Sequence, residues 1–303
     1  NLFGSAPVYA LARLITGEAD TAYQVWFLVG YAANFGAAYY ALRRLNGSVL
    51  AASIGAVIFA FALPTTAHVG HAQLHYRFGL PLAIFFFVEF LNVKSWRLLL
   101  IAGAWLVWQF YAGVYMGFFA LLLMATMSMA YVGSALLERE RPIKDMLKDF
   151  RSSWQSQSRQ QKRVVLGGFG LLVLLLAILF YPYLQVANLY GAKRSWGEIA
   201  TMLPRPQSFF LSDSSFLWAT RDARIFAGIP MRHEHQMFAG MVPLSLALAG
   251  FFVGSRARCG ATFPLMSGML GIAVVLTLYV GGFSLWYLFH KLPLASAIRA
   301  MTR

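Results

Sequence analysis

The sequence predicts an all-α protein: a polytopic transmembrane helical bundle of about eight spans. Three observations carry this. Only 12% of the 303 residues are charged, 59% are hydrophobic, and mean hydropathy is +0.61, where soluble domains carry about 25% charged residues. Apolar runs of membrane-spanning length recur along the chain. Lys and Arg gather on alternate connecting segments. The composition excludes a disordered tail, a coiled coil and an ordinary soluble enzyme.

A crossing needs about 20 residues, each rising about 1.5 Å, to traverse about 30 Å of hydrocarbon. The first predicted span runs from Tyr23 to Leu42 and ends at Arg43 and Arg44. The second runs from Leu50 to Leu63 and stops at Pro64, which cannot continue a helical ladder. The third, Leu80 to Val93, is short enough to be a buried or re-entrant helix, and Pro81 suits its first turn. Leu98 to Leu137 is too long for one crossing. It divides near Tyr111-Ala112-Gly113, where Trp105, Trp108, Tyr111 and Tyr115 form an interfacial aromatic cluster. Further spans are Val164 to Leu184, Met237 to Val253 and Phe263 to Val280. The tail from Gly281 to Arg303 is amphipathic and is expected at the interface or dipping in. No period of 20 to 50 residues repeats, which excludes a solenoid.

A net charge of +14 suggests nucleic acid at first sight. The distribution argues against nucleic acid as a partner. Arg43, Arg44, Lys94, Arg97, Arg256 and Arg258 share one side with the basic loop 138–163, which holds Arg139, Arg141, Lys144, Lys148, Arg151, Arg159, Lys162 and Arg163. Positive residues resist translocation, so this side is expected in the cytoplasm. The Ser/Gln-rich piece Ser152 to Gln161 reads as a linker lying on anionic membrane lipid. The N-terminal stretch, the His68–Arg77 segment, the long loop 185–236 and the tail then face outward. Cys259 is the only cysteine, which excludes an internal disulfide framework and a CxxC redox pair.

All six histidines fall on the outward side: His68, His71, His75, His233, His235 and His290. On a helix, His68, His71 and His75 would share one face. A metal site drawing on His71, His233, Glu234 and His235 would suit a divalent ion such as Mg or Mn; the competing reading is ordinary hydrogen bonding at an interface. Glu234 stands out by scarcity, since the other outward acids are only Glu18, Asp20, Glu198, Asp213 and Asp222. It directly precedes a span, where a carboxylate seeks a cation or a helix N-terminus. Glu89 lies inside a span near Lys94, open to a functional role or to snorkelling. Outward cations resist the positive-inside bias: Lys193, Arg194, Arg205, Arg221, Arg224, Arg232, Arg299 and Arg303. Guanidinium groups match phosphate oxygens, so these are candidates for a lipid phosphate or for general headgroup contact. No GxGxxG, Walker, HExxH or GxSxG motif occurs in a usable context.

Several segments in order resemble bacterial polytopic proteins of the GT-C glycosyltransferase superfamily. They are Asn1-Leu2-Phe3-Gly4-Ser5-Ala6-Pro7-Val8-Tyr9, Leu14-Ile15-Thr16-Gly17, Gly70-His71-Ala72-Gln73-Leu74, Leu80-Pro81-Leu82-Ala83 and Tyr111-Ala112-Gly113-Val114-Tyr115. Glu234 before Phe238-Ala239-Gly240-Met241-Val242-Pro243-Leu244, and Leu292-Pro293-Leu294 before Ile298-Arg299 and Arg303, complete the set. The resemblance implies transfer of a sugar from a polyprenyl-phosphate donor to an acceptor on the outer face of a bacterial inner membrane. It implies Glu234 as the catalytic candidate, and His71, Gln73, Lys193, Arg194, Arg299 and Arg303 as substrate-binding candidates. The family's principal acid sits in a first outer loop, which would lie upstream of Asn1, so the chain is expected to be part of a longer protein. The closing segment Arg299-Ala300-Met301-Thr302-Arg303 has no proline between its arginines. A transporter or flippase of a lipid-linked sugar, or a non-catalytic assembly protein, is the alternative.

Overall fold

The structure is a computed structural model. It describes residues 2–45, 47–137, 143–191, 194–215, 217–218, 224–256, 262–291, 298 and 300–302. Among these residues the fold is all-α. In chain order the helices are α1 (Ala6–Thr16), α2 (Ala19–Arg44), α3 (Val49–Phe61), α4 (Leu63–Ala67), α5 (Gly79–Val93) and α6 (Trp96–Ala112). They continue as α7 (Val114–Leu137), α8 (Ile143–Gln155), α9 (Arg159–Tyr190), α10 (Trp196–Thr201), α11 (Met241–Arg256) and α12 (Thr262–Thr277).

Helix α5 is the centre of the bundle. Apart from Glu89 and Asn92 near its end it is apolar, which suits a helix surrounded by others. Accordingly it packs against α2, α6 and α7. Its Ala83, Phe87 and Val88 join Met124 and Met127 of α7 and Leu265 and Met269 of α12 in one core cluster. A second cluster closes the opposite end of the bundle. There Phe110 of α6, Phe118 of α7 and Leu179 of α9 meet Ile199, Leu203, Trp286, Ile298 and Met301. Trp286, Ile298 and Met301 of the tail are packed into this cluster.

Among the described residues, four helical stretches are long and apolar enough to cross a membrane: Val49–Ala67, Ala72–Val93, Val114–Leu136 and Arg159–Tyr190. The two-span reading of Leu98–Leu137 matches the break between α6 and α7 at Gly113. A Cβ on Gly113 would overlap the carbonyl oxygen of Gln73, so glycine lets the turn approach the segment that leads into α5. Helix α3 ends at Phe61, and Pro64 sits in the first turn of α4, as the missing amide of proline requires.

Helix α9 is longer than the expected span. Its 32 residues extend about 48 Å at 1.5 Å each. Ser158 opens it with a reciprocal capping box to Gln161. Most of its apolar surface, including Leu166, Leu171, Val173 and Ile178, is exposed, as a lipid-facing helix requires. The Ser/Gln-rich piece Ser152–Gln161 spans the end of α8, a three-residue connection and the start of α9. Ile143, Met146, Leu147, Phe150 and Trp154 recur at helical spacing, and Phe90 and Trp96 receive Phe150 and Trp154.

Candidate functional site

The site forms where the turn after α4 meets the short helical turn Arg232–His235. The peptide of His68 closes α4, and its Nδ1 lies 2.8 Å from the Pro64 carbonyl oxygen. A carbonyl only accepts, so Nδ1 carries the proton in that bond and Nε2 faces away. Nε2 lies 3.9 Å from Glu234 Oε2, while Oε1 of the same carboxylate lies 3.8 Å from His233 Nε2. Glu234 is only 3% exposed. The ring of His71 is 6.1 Å from that of His68. The carboxylate expected just before a span is therefore held against histidines from both parts of the chain.

The three upstream histidines do not share a helix face. A turn separates α4 from the next helical residues, so the backbone redirects each ring. His75 goes to the core: it stacks on Phe27 at 4.2 Å, and its Nε2 donates to the Phe27 carbonyl at 2.7 Å. Gln73 lies in the half-exposed turn Ala72–Leu74.

A rigid frame fixes Glu234. Arg232 grips Asp213 through two bonds, Nε to Oδ2 at 2.8 Å and Nη2 to Oδ1 at 2.7 Å. Gln236 Nε2 donates to the same carboxylate at 2.9 Å, and its Oε1 accepts from the Asp213 amide at 2.5 Å. The bidentate pair offsets the left-handed backbone of Met231 (φ 49°), a conformation costing a non-glycine residue about 1–3 kcal/mol. Phe238 stacks on Trp218 at 4.7 Å and bonds through its amide to the Leu211 carbonyl.

His235 is part of this frame. Its Nε2 lies 2.8 Å from the Thr201 carbonyl oxygen and therefore donates; its Nδ1 then accepts from Ser208 Oγ at 2.8 Å. Ser208 Oγ also accepts from the Arg205 amide. Burial holds the His235 imidazole below the usual histidine range, with the Thr201 bond opposing in part. Both ring nitrogens are spent, so His235 as placed does not serve the predicted metal set. Among the described residues, no three His, Cys, Asp or Glu side chains are grouped to hold a metal ion.

The outward cations separate into distinct roles. Arg194 pairs with Glu198 at 2.7 Å on the surface. Arg205 stacks over Tyr279 at 5.2 Å, Arg232 holds Asp213, and Arg224 is exposed. Lys193, Arg221, Arg299 and Arg303 lie outside the described residues. Lys94 donates to Tyr131 Oη at 2.6 Å and lies 4.9 Å from the centre of the Phe150 ring.

Beside the Glu234 cluster runs an open groove of about 470 Å³. Tyr23, Gln24, Phe27 and Leu28 of α2 line it with Val69 and Gly70. Val69 and Gly70 are the two residues between His68 and His71, so one turn supplies both the polar cluster and the apolar wall. The partnership of His68 with Glu234 was not readable in the sequence, because 166 positions separate two residues whose meeting depends on the whole bundle. The Asp213–Arg232–Gln236 frame had one signal, an outward acid beside outward bases.

No protein-family model, curated protein or solved structure matches this chain.

Proposed function

We propose that this chain belongs to a multi-pass bacterial inner-membrane glycosyltransferase resembling the GT-C superfamily. In this reading it moves a sugar from a polyprenyl-phosphate donor to an acceptor on the outer face. The observation that carries the proposal is the shared turn His68–His71. It puts a buried carboxylate–histidine cluster beside an apolar groove that opens along α2. A lipid-linked substrate has both parts: an apolar chain for the groove and a polar head for the cluster. In this reading α2, α6, α11 and α12 cross the membrane beside the four long apolar stretches, for about eight spans in all; of these four, α11 and α12 are short apolar helices. At 16 residues each, α11 and α12 extend about 24 Å and suit a locally thin bilayer or a partial crossing.

In this mechanism Glu234 accepts the proton of the acceptor hydroxyl as that oxygen attacks the anomeric carbon. His68 Nε2 faces the same carboxylate and orients it when the imidazole carries both protons, since Nδ1–H is already given to the Pro64 carbonyl. The polyprenyl phosphate departs with the electron pair of the broken C–O bond. The resemblance gives Arg299 and Arg303 the phosphate and gives His71, Gln73, Lys193 and Arg194 contacts with substrate.

The test reconstitutes the full-length protein in liposomes with a bacterial pool of polyprenyl-phosphate sugars and labelled donor. Release of polyprenyl phosphate with a covalent sugar product, lost in Glu234→Gln and Arg299→Ala, is the expected result. Passage of labelled lipid-linked sugar across the bilayer without a covalent product would replace it with the transporter reading.

A further inference from the structure

The face bearing α8 carries a second groove, remote from Glu234 and independent of the function proposed above. It has a volume of about 380 Å³, within the range of ligand clefts of about 300–1,000 Å³. Its walls are Trp96 at the start of α6, Phe150, Arg151 and Trp154 of α8, and Val165, Leu166 and Phe169 of α9. Arg151 is the one charged side chain among these lining residues.

We propose that this groove binds one anionic phospholipid, its acyl chain along the aromatic walls and its phosphate at Arg151 and Lys162. Position supports this first. Arg159, Lys162 and Arg163 immediately precede the apolar run of α9, and Phe169 lies about 9 Å beyond Arg163 along the helix. The groove thus straddles the boundary between charged headgroup and hydrocarbon depth. Charge supports it second. Across the described stretch 143–163 there are six cations (Lys144, Lys148, Arg151, Arg159, Lys162, Arg163) against Asp145 and Asp149. Lys162 folds back over the groove: its Nζ is 6.0 Å from the Trp154 ring and donates to the Gln155 carbonyl at 3.1 Å. Packing supports it third. Trp96 and Trp154 meet edge to face at 5.2 Å, and Ser153 Oγ donates to the Lys94 carbonyl at 2.6 Å, so α8 is fixed to the bundle and the groove is preformed. Leu166 in its wall stays exposed, where an acyl chain would cover it.

Native mass spectrometry of the full-length protein, titrated with phosphatidylglycerol and with phosphatidylcholine of identical chains, tests the charge. The wild type is expected to prefer phosphatidylglycerol. Arg151→Gln and Lys162→Gln should each lower that preference about five-fold, the effect of one cation near an anionic lipid. Both side chains are solvent-facing or at the rim, and an unchanged gel-filtration profile verifies folding. Phosphatidylglycerol brominated on its acyl chain tests location. It should quench tryptophan fluorescence in the wild type and quench it less once Trp96 and Trp154 are both changed to Phe. Equal retention of the two lipids by the wild type, or a preference that survives the double Gln variant, would overturn the proposal. So would quenching unaffected by loss of the two tryptophans, because the chain would then lie elsewhere.

Discussion

His68 Nε2 faces the buried Glu234 carboxylate across 3.9 Å, and it does so because Nδ1 is tied to the Pro64 carbonyl. The ring cannot turn without losing that bond. Under the proposed mechanism Glu234 is the base and His68 its positioning partner, so their variants should differ in degree. Glu234→Gln keeps shape and removes the proton acceptor; it should cost sugar transfer about 10²–10⁴-fold, the contribution of a positioned general base. His68→Gln should slow transfer by less and preserve donor binding. Initial rates in proteoliposomes, with thermal stability measured alongside, check both. Full activity of Glu234→Gln at wild-type stability would remove Glu234 from the chemistry.

Gly30 faces the stacked ring of His75. A Cβ there would overlap His75 Nε2 and approach Tyr76 Cε2 to 2.9 Å. His75 cannot yield easily, since it stacks on Phe27 and donates to the Phe27 carbonyl. Gly30→Ala should therefore destabilise by about 1–3 kcal/mol, the usual cost of overpacking. Gly36 lies on the same helix with nothing within 4 Å of its would-be Cβ. There alanine should be neutral or stabilising, because it favours the helix by about 1 kcal/mol over glycine. Thermal unfolding of the two variants in one detergent is the comparison; equal losses would contradict the packing described.

The fork of Arg232 on Asp213 predicts that lysine is no substitute. Lys cannot make the two parallel bonds or hold Gln236 against the same carboxylate in the same geometry. Arg232→Lys should cost about 1–3 kcal/mol locally, the usual cost of losing a charged hydrogen bond. The loss should show as faster protease cleavage within 211–236 while the helical bundle stays intact by circular dichroism. An unaltered cleavage rate would mean that the loop owes its shape to the Trp218–Phe238 stack instead.

Much of the bundle was legible because hydropathy and turn residues are local. The Gly113 break and the apolar run of α9 each follow from a few consecutive residues, whereas the second span, expected to stop at Pro64, runs on through α4 to Ala67. Helix α8 was missed because its many charges masked the spacing of Ile143, Met146, Phe150 and Trp154. Glu234 could be singled out by scarcity alone. Its partner could not: His68, His71 and His75 have helical spacing, yet the turn after α4 sends His68 to Glu234 and His75 into the core. His235 was misleading for the opposite reason, since its type suggested a ligand while its neighbours Thr201 and Ser208 consume both nitrogens. Side-chain chemistry names candidates; only the backbone path decides which of them meet.

That consumption makes His235 a source of acid sensitivity. Burial lowers its folded-state pKa below the ordinary value of 6.5. Above that value the imidazole is neutral whether the chain is folded or unfolded, and it contributes no pH dependence. As pH falls below 6.5, the unfolded chain takes up a proton that the folded site refuses, so the unfolded state gains and stability declines. The decline continues until the folded pKa is reached, with a slope of at most about 1.4 kcal/mol per pH unit. His235→Gln replaces the acceptor and donor with an amide that does not titrate. Its melting temperature should be lower than wild type at pH 8, because the bonds to Ser208 and Thr201 are less well made, yet it should fall less between pH 7 and pH 5. The difference between the two slopes reports the loss of this ring together with its coupling to His233 and Glu234. Parallel slopes would mean that His235 accepts its proton in place, with Ser208 turning its hydroxyl to accept from Nδ1 while Nε2 keeps its bond to Thr201.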